Sequence, residues 1–300
     1  MRQELIAFAL VVGQVSAAPV PSDFDALLTS VANAAKEYET AFRNLMAEET
    51  KLVEVFDDSG RLEKRREIVS DLVLYQPTRD DKQKAEYRDV RTVDGKAVDK
   101  RTKRALDVLT RASQSTSIKK ELDLINHEGL RYDLGYRFSG LTAGHPGLRL
   151  SDRQGLRVEW AGREQIDAHD VVVVDYQDAV PSRAHSDTKF YEQNGFSSSF
   201  IRSRLWIDTA TSQVRQARWE VVFLLPGQAE PVPILRTEGS YVESRFGVLV
   251  PSRVVYEFFQ RGKQLKGKPP SFYRASRTTC VYGVFRQFGV ATEETIETPK

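Results

Sequence analysis

The sequence predicts an α+β protein built on an open, strongly curved antiparallel β-sheet, a half-barrel of about eleven strands wrapping amphipathic helices. Three observations carry this expectation. Residues 22–47 repeat apolar side chains at helical spacing. From Leu130 onward, strand-like segments follow one another with only short turns between them. Helical and strand patterns do not alternate there, as βαβ units would require. A sheet of so many strands does not stay flat, and a curled sheet has a concave face that long amphipathic helices can fill.

The first helix is the clearest element. Ser22 followed by Asp25 resembles a capping box. Phe24, Leu27, Leu28, Val31, Ala35, Tyr38, Phe42 and Leu45 form one stripe, with Lys36, Glu37, Glu39 and Arg43 between them. That is the pattern of a helix with one face on a core. Residues 51–76, KLVEVFDDSGRLEKRREIVSDLVLYQ, then read as a hairpin turning at Asp57-Asp58-Ser59-Gly60. Residues 99–127 return to helical spacing through Ala105, Leu106, Val108, Leu109, Ile118, Leu122 and Ile125. A break near Ser113–Ser117 divides this insert into two short helices.

Strands follow near 130–138, 155–162, 168–177, 198–208, 213–225, 233–244, 249–260, 271–288 and 290–297. Turn signals separate them at Ala161-Gly162, Pro226-Gly227 and Arg261-Gly262, among others. Segments 139–154 and 179–197 read as loops. The 208–213 stretch, DTATSQ, reads as a tight turn held by the Asp208 side chain.

The opening MRQELIAFALVVGQVSAA sets an apolar run, Leu5 to Val12, behind Arg2 and ends in Val15-Ser16-Ala17. This is the pattern of a secretory signal peptide. It predicts that residues 1–18 are removed and that 19–300 form a single exported domain, periplasmic or secreted. No later run reaches the length needed to span a bilayer, so no transmembrane segment is expected in the mature chain. A net charge of +2 over 300 residues argues against a strongly basic surface, and no nucleic-acid partner is expected. The single cysteine, Cys280, excludes an intramolecular disulfide and a cysteine-rich zinc site. Its place in a strand pattern suits a small buried side chain. The basic runs Lys64-Arg65-Arg66 and Lys100-Arg101-x-Lys103-Arg104 read as solvated faces.

Catalytic patterns are sparse. The four histidines, His127, His145, His169 and His185, form no HExxH pair. There is no GxSxG elbow, Walker-A loop or GxGxxG. Gly144-His145-Pro146-Gly147 reads as a turn. No catalytic residue, metal or cofactor is therefore expected. A secreted hydrolase using Asp167, His169, Asp170 or His185 is the rival reading.

The better candidate is an apolar site. Along 198–208, Ile201, Ser203, Leu205 and Ile207 share one face, and along 213–225, Ala217, Trp219, Val221, Phe223 and Leu225 do. Trp206 faces the other way with Arg202 and Arg204. Leu205, Ile207, Trp219, Val221 and Phe223, with Phe42 from the helix above, are the expected ligand-binding residues. Concave apolar and aromatic surfaces are the usual small-molecule sites.

The hairpin Leu205-Trp206-Ile207-Asp208…Val214-Arg215-Gln216-Ala217, with the preceding stretch from Gly162 to Tyr176, resembles the periplasmic lipoprotein-carrier (LolA-like) superfamily, which includes the RseB-type regulators. The resemblance implies helices wrapped by an open curved sheet. It also implies a cavity for a lipid, a lipoprotein acyl chain or an apolar peptide. An envelope protein bound in a regulatory or scaffold role is the further partner it suggests.

Overall fold

The computed structural model describes residues 22–41, 45–75, 85–100, 107, 110–111, 117–136, 141, 145–182, 188–228, 230–263 and 270–287. Residues 1–21, with the expected signal peptide, lie outside this set.

Helix α1 spans Phe24–Ala41 and ends before the predicted stripe does. Leu45 opens strand β1 (Leu45–Phe56) instead of closing the helix. Leu45, Ala47, Glu49, Lys51 and Val53 are buried in alternation, so the twofold period of a strand claims a residue that also fits the helical stripe. Phe42 lies outside the described residues. Strand β2 (Leu62–Tyr75) returns through the expected turn, where Asp57 Oδ1 accepts the backbone N–H groups of Ser59 and Arg61 at 2.9 Å each.

Strands β3 (Ala85–Val93) and β4 (Lys96–Ala97) extend this sheet through Asp94-Gly95. They were not anticipated from the sequence, because the inward residues Glu86 and Arg88 are charged. Helix α2 (Ile118–Gly129) falls in the second half of the predicted helical insert; most of the first half and of the predicted break lies outside the described residues. The strand predicted at 130–138 is absent over its described part. The N–H groups of Leu130, Arg131 and Asp133 turn back onto the carbonyls of Asn126, Glu128 and Leu130, so they are not free to join a ladder.

A 3-10 segment, Pro146–Gly155, leads into β5 (Leu156–Ile166) and β6 (His169–Asp178). Ala161-Gly162 is a bulge within β5 and not a turn. Gly162 has φ 128°, and the register shifts between Trp160 and Gly162. The chain reverses instead at Asp167-Ala168, both at positive φ. Helix α3 (Thr188–Asn194) occupies part of a segment expected to be a loop. Strands β7 (Ser198–Asp208), β8 (Val214–Leu224), β9 (Val232–Val242), β10 (Val250–Arg261) and β11 (Phe272–Tyr282) follow the predicted order. The short β12 (Arg286–Gln287) pairs with the start of β1. The strand expected at 290–297 lies outside the described residues.

One sheet runs β4-β3-β2-β1-β11-β10-β9-β8-β7-β6-β5, with antiparallel neighbours throughout and β12 beside β1. The N-terminal hairpins thus continue the C-terminal meander through the β1–β11 pair, and the sheet stays open between β4 and β5. Its curvature follows from what α1 touches. Leu28, Val31 and Ala32 pack with Val172, Val174, Leu205 and Ile207. Tyr38 packs with Leu45, Leu72, Val254 and Cys280. From β6 to β2 is about 34 Å along a flat sheet, whereas a helix of this length measures about 27 Å. The strands must therefore curl round it. Among the described residues no helix is long and apolar enough to cross a membrane.

The convex face is a charge ladder. Directly opposed residues run Arg202, Glu220, Arg236, Glu257, Arg277, Glu54, Arg65 across seven strands. Alternating signs between directly opposed side chains favour this register. Trp206 lies on the same face, as expected, over Val171 and Val173, and its indole donates to Glu164 at 2.9 Å.

Candidate functional site

One cross-strand row of the concave face reads Tyr176, Ser203, Trp219, Thr237, Tyr256 from β6 to β10. The adjacent row includes Ala217 opposite Gly239. Two hydroxyl side chains among three large rings, beside an alanine and a glycine, leave a hollow. Its volume is about 210 Å³. Tyr38 of α1, with His145, Pro146 and Arg149 at the start of the 3-10 segment, forms the other wall.

Local chemistry fixes that wall. Gly147 lies tight against α1: a Cβ there would stand 3.2 Å from Val31 Cγ1 and 3.3 Å from Ala35 Cβ, so its neighbours would have to give. Glycine therefore lets the 3-10 segment lie against α1. Tyr176 donates its hydroxyl proton to the Pro146 carbonyl at 2.9 Å, which ties the wall to the floor. His145 Nδ1 accepts the Gly147 N–H at 3.2 Å, so the neutral ring carries its proton on Nε2. The ring lies between Tyr38, 4.7 Å away, and Tyr241, 5.7 Å away. Burial pushes its pKa down to about 4, and His145 is uncharged at neutral pH. Burial likewise raises the hydroxyl pKa values of Tyr38, Tyr176, Tyr241 and Tyr256. The rings therefore present polar but uncharged groups.

Among the described residues, three polar atoms of the lining are buried without a hydrogen-bond partner: Ser203 Oγ, Thr237 Oγ1 and Arg149 Nη1. The other end of the Arg149 guanidinium is engaged: Nη2 donates to Asp178 Oδ1 at 2.5 Å. Asp178 in turn accepts the Ile201 N–H at 2.7 Å. Buried polar groups are nearly always satisfied, by protein or by ordered water, so these three atoms leave hydrogen-bonding capacity free at the hollow.

The predicted ligand residues divide between hollow and packing. Trp219 lines the cavity. Leu205 and Ile207 are fully buried against α1. Val221 and Phe223 pack with Tyr191, Phe196 and Ile234 under α3. Tyr38, four residues before Phe42 in the sequence, supplies an aromatic wall; Phe42 itself lies outside the described residues. The sequence reading overlooked His145, Arg149 and Thr237; the one available signal was Thr237-x-Gly239, small residues on the inward face of a strand otherwise bearing large ones.

The rival catalytic residues fall elsewhere. His169 Nδ1 lies 3.3 Å from the buried Asp208, which accepts Arg215 Nε at 2.6 Å. Asp167 forms the β5–β6 turn, and the Asp170 carboxylate accepts from Gln165 at 3.2 Å. His185 lies outside the described residues. A groove of about 480 Å³ on the convex face is lined in part by the charge ladder; two of its three acids, Asp175 and Glu220, are taken by Arg204, Arg202 and Arg236, and the third, Glu159, is exposed.

No protein-family model matches the chain, and a search of curated proteins returns no match. Solved structures do. The chain is similar to a LolA superfamily protein from Nitrosomonas europaea, at 12% identity and a TM-score of 0.31, over 88% of this chain and 94% of that one. It is similar to the lipoprotein LppX of Mycobacterium tuberculosis, at 11% identity and a TM-score of 0.24, over 86% and 93%. It is also similar to a chain of the Pseudomonas aeruginosa MucA/MucB complex, at 10% identity and a TM-score of 0.21, over 85% and 94%.

Proposed function

We propose that this is an exported, non-enzymatic binding protein that holds the acyl chain of a lipid or lipoprotein, or an apolar stretch of peptide, between α1 and the concave face of the sheet. The observation that carries the reading is the hollow bounded by Tyr38, Tyr176, Trp219 and Tyr256, with the Thr237 hydroxyl buried and unpartnered beside it. A cavity that served only stability would be filled, since interiors pack to crystal density. Aromatic walls with a few convergent polar groups suit a ligand that is mostly apolar. Export fits the apolar run behind Arg2 and its small-residue end.

The test is binding of a neutral apolar fluorophore, N-phenylnaphthylamine, by the mature chain, and its displacement by long-chain lipids. Micromolar binding that Ala217→Leu weakens about tenfold or more supports the reading. Binding unchanged in that variant places the probe elsewhere and counts against it.

A further inference from the structure

The charge of the cavity defines the guest more narrowly. Among the described residues Arg149 is the only ionised side chain of the lining, and its charge is balanced by Asp178. The next carboxylate is Glu39, which accepts the His145 backbone N–H at 2.9 Å and whose negative charge reaches both Tyr38 and Tyr241. A second carboxylate brought here would meet no unpaired cation among the described residues of the lining. Yet the site offers unused donors, Arg149 Nη1–H and the Thr237 and Ser203 hydroxyls. Donors without net charge suit a carbonyl oxygen. A buried charge lacking its own partner costs far more than a buried dipole that finds a hydrogen bond.

We infer that the cavity prefers an acyl chain joined through an uncharged ester or amide to the corresponding free acid, and that Arg149 and Thr237 are the donors that make the distinction. This rests on the cavity being the ligand site proposed above. Thr237 sits midway along the floor, between Trp219 and Tyr256. A carbonyl held there leaves the hydrocarbon chain against the rings.

The experiment compares dodecanoic acid with methyl dodecanoate as competitors for bound N-phenylnaphthylamine, at neutral pH, on the mature chain. The expected result is displacement by the ester at a concentration about tenfold lower, a difference of about 1.4 kcal/mol. Thr237→Val, which keeps the side-chain shape, should shrink that ratio without abolishing probe binding, and Arg149→Met combined with Asp178→Asn, which removes the donor without leaving an unpaired carboxylate, should do the same. Equal displacement, or tighter binding of the acid, overturns the inference and leaves the binding role standing. A preference for the ester that survives in both variants overturns the assignment of the two donors. Binding of neither competitor, with no probe uptake, overturns the inference together with the role on which it rests.

Discussion

The Arg215 guanidinium donates to Asp208 at 2.6 Å, and both side chains are buried. The other Asp208 oxygen accepts the N–H groups of Ala210 and Thr211 at 2.9 and 3.0 Å. Asp208 therefore does two things: it closes the β7–β8 turn and it neutralises a buried cation. Burial alone would raise its pKa, but the hydrogen bonds from Arg215, Thr211 and Ala210 outweigh this and hold the carboxyl below its ordinary value. Asp208→Ala should cost about 3–5 kcal/mol, the scale for stripping one partner from a buried pair, and not the roughly 1 kcal/mol of a single turn hydrogen bond. Because the folded pKa is depressed, this stability is present above the ordinary carboxylate value of 3.8 and is lost as the pH falls through the lower folded value. Urea unfolding of wild type and variant, repeated down an acid series, measures both.

His145 gives a second pH dependence, in a different window. The unfolded chain takes up its proton near 6.5, whereas the folded ring resists it to about 4. Unfolding therefore gains a proton between those values, and stability should fall as the pH drops from about 6.5 to about 4. The full loss from this group is about 3 kcal/mol. His145→Gln should flatten that part of the stability profile. An unchanged slope would show that the ring is solvated.

Thr237 tests whether the hollow is a site at the expense of stability. Its hydroxyl is buried with no partner, so Thr237→Val removes an unsatisfied group while conserving shape. The variant should be more stable by about 1 kcal/mol, read as a higher melting temperature of the ligand-free protein. A loss of stability would mean that the hydroxyl has a partner after all.

Leu205 and Ala217, opposite each other on β7 and β8, should separate packing from binding. Leu205 is fully buried against α1, and Leu205→Ala should cost about 2–5 kcal/mol while leaving the fluorophore affinity within about twofold. Ala217→Leu should do the reverse, with an overpacking cost of about 1–3 kcal/mol at most and a clear loss of affinity. Denaturant curves and probe titrations on both variants make the comparison.

Much of the sheet was legible because β7 to β11 carry local signals: alternation broken by Asp208, Pro226-Gly227 and Arg261-Gly262. What was lost depended on distant partners. Glu49 and Lys51 occupy inward positions of β1, and nothing nearby in sequence explains them. Arg88, 39 residues from Glu49, donates to it at 2.5 Å; Asp133, 82 residues from Lys51, accepts from it at 3.1 Å. Because Glu86 and Arg88 also point inward, β3 lacked the apolar alternation that marks a strand. Leu45 was misplaced because it satisfies both the helical and the strand period. Most of the lining of the expected cavity was missed for a related reason. Apolar faces are visible in a sequence, but a hollow is made by the small residues of neighbouring strands, Ser203, Ala217, Thr237 and Gly239, whose adjacency exists only once the register is set.

The central claim, that the space between α1 and the concave face holds an acyl-bearing guest, is tested most directly by native mass spectrometry of the protein purified without detergent from the cells that make it. The account predicts a population heavier than the polypeptide by the mass of one acyl-containing molecule. That mass should be released into organic solvent and should be missing from Ala217→Leu. A single ligand-free mass in the wild type, together with no uptake of added methyl dodecanoate, would contradict it.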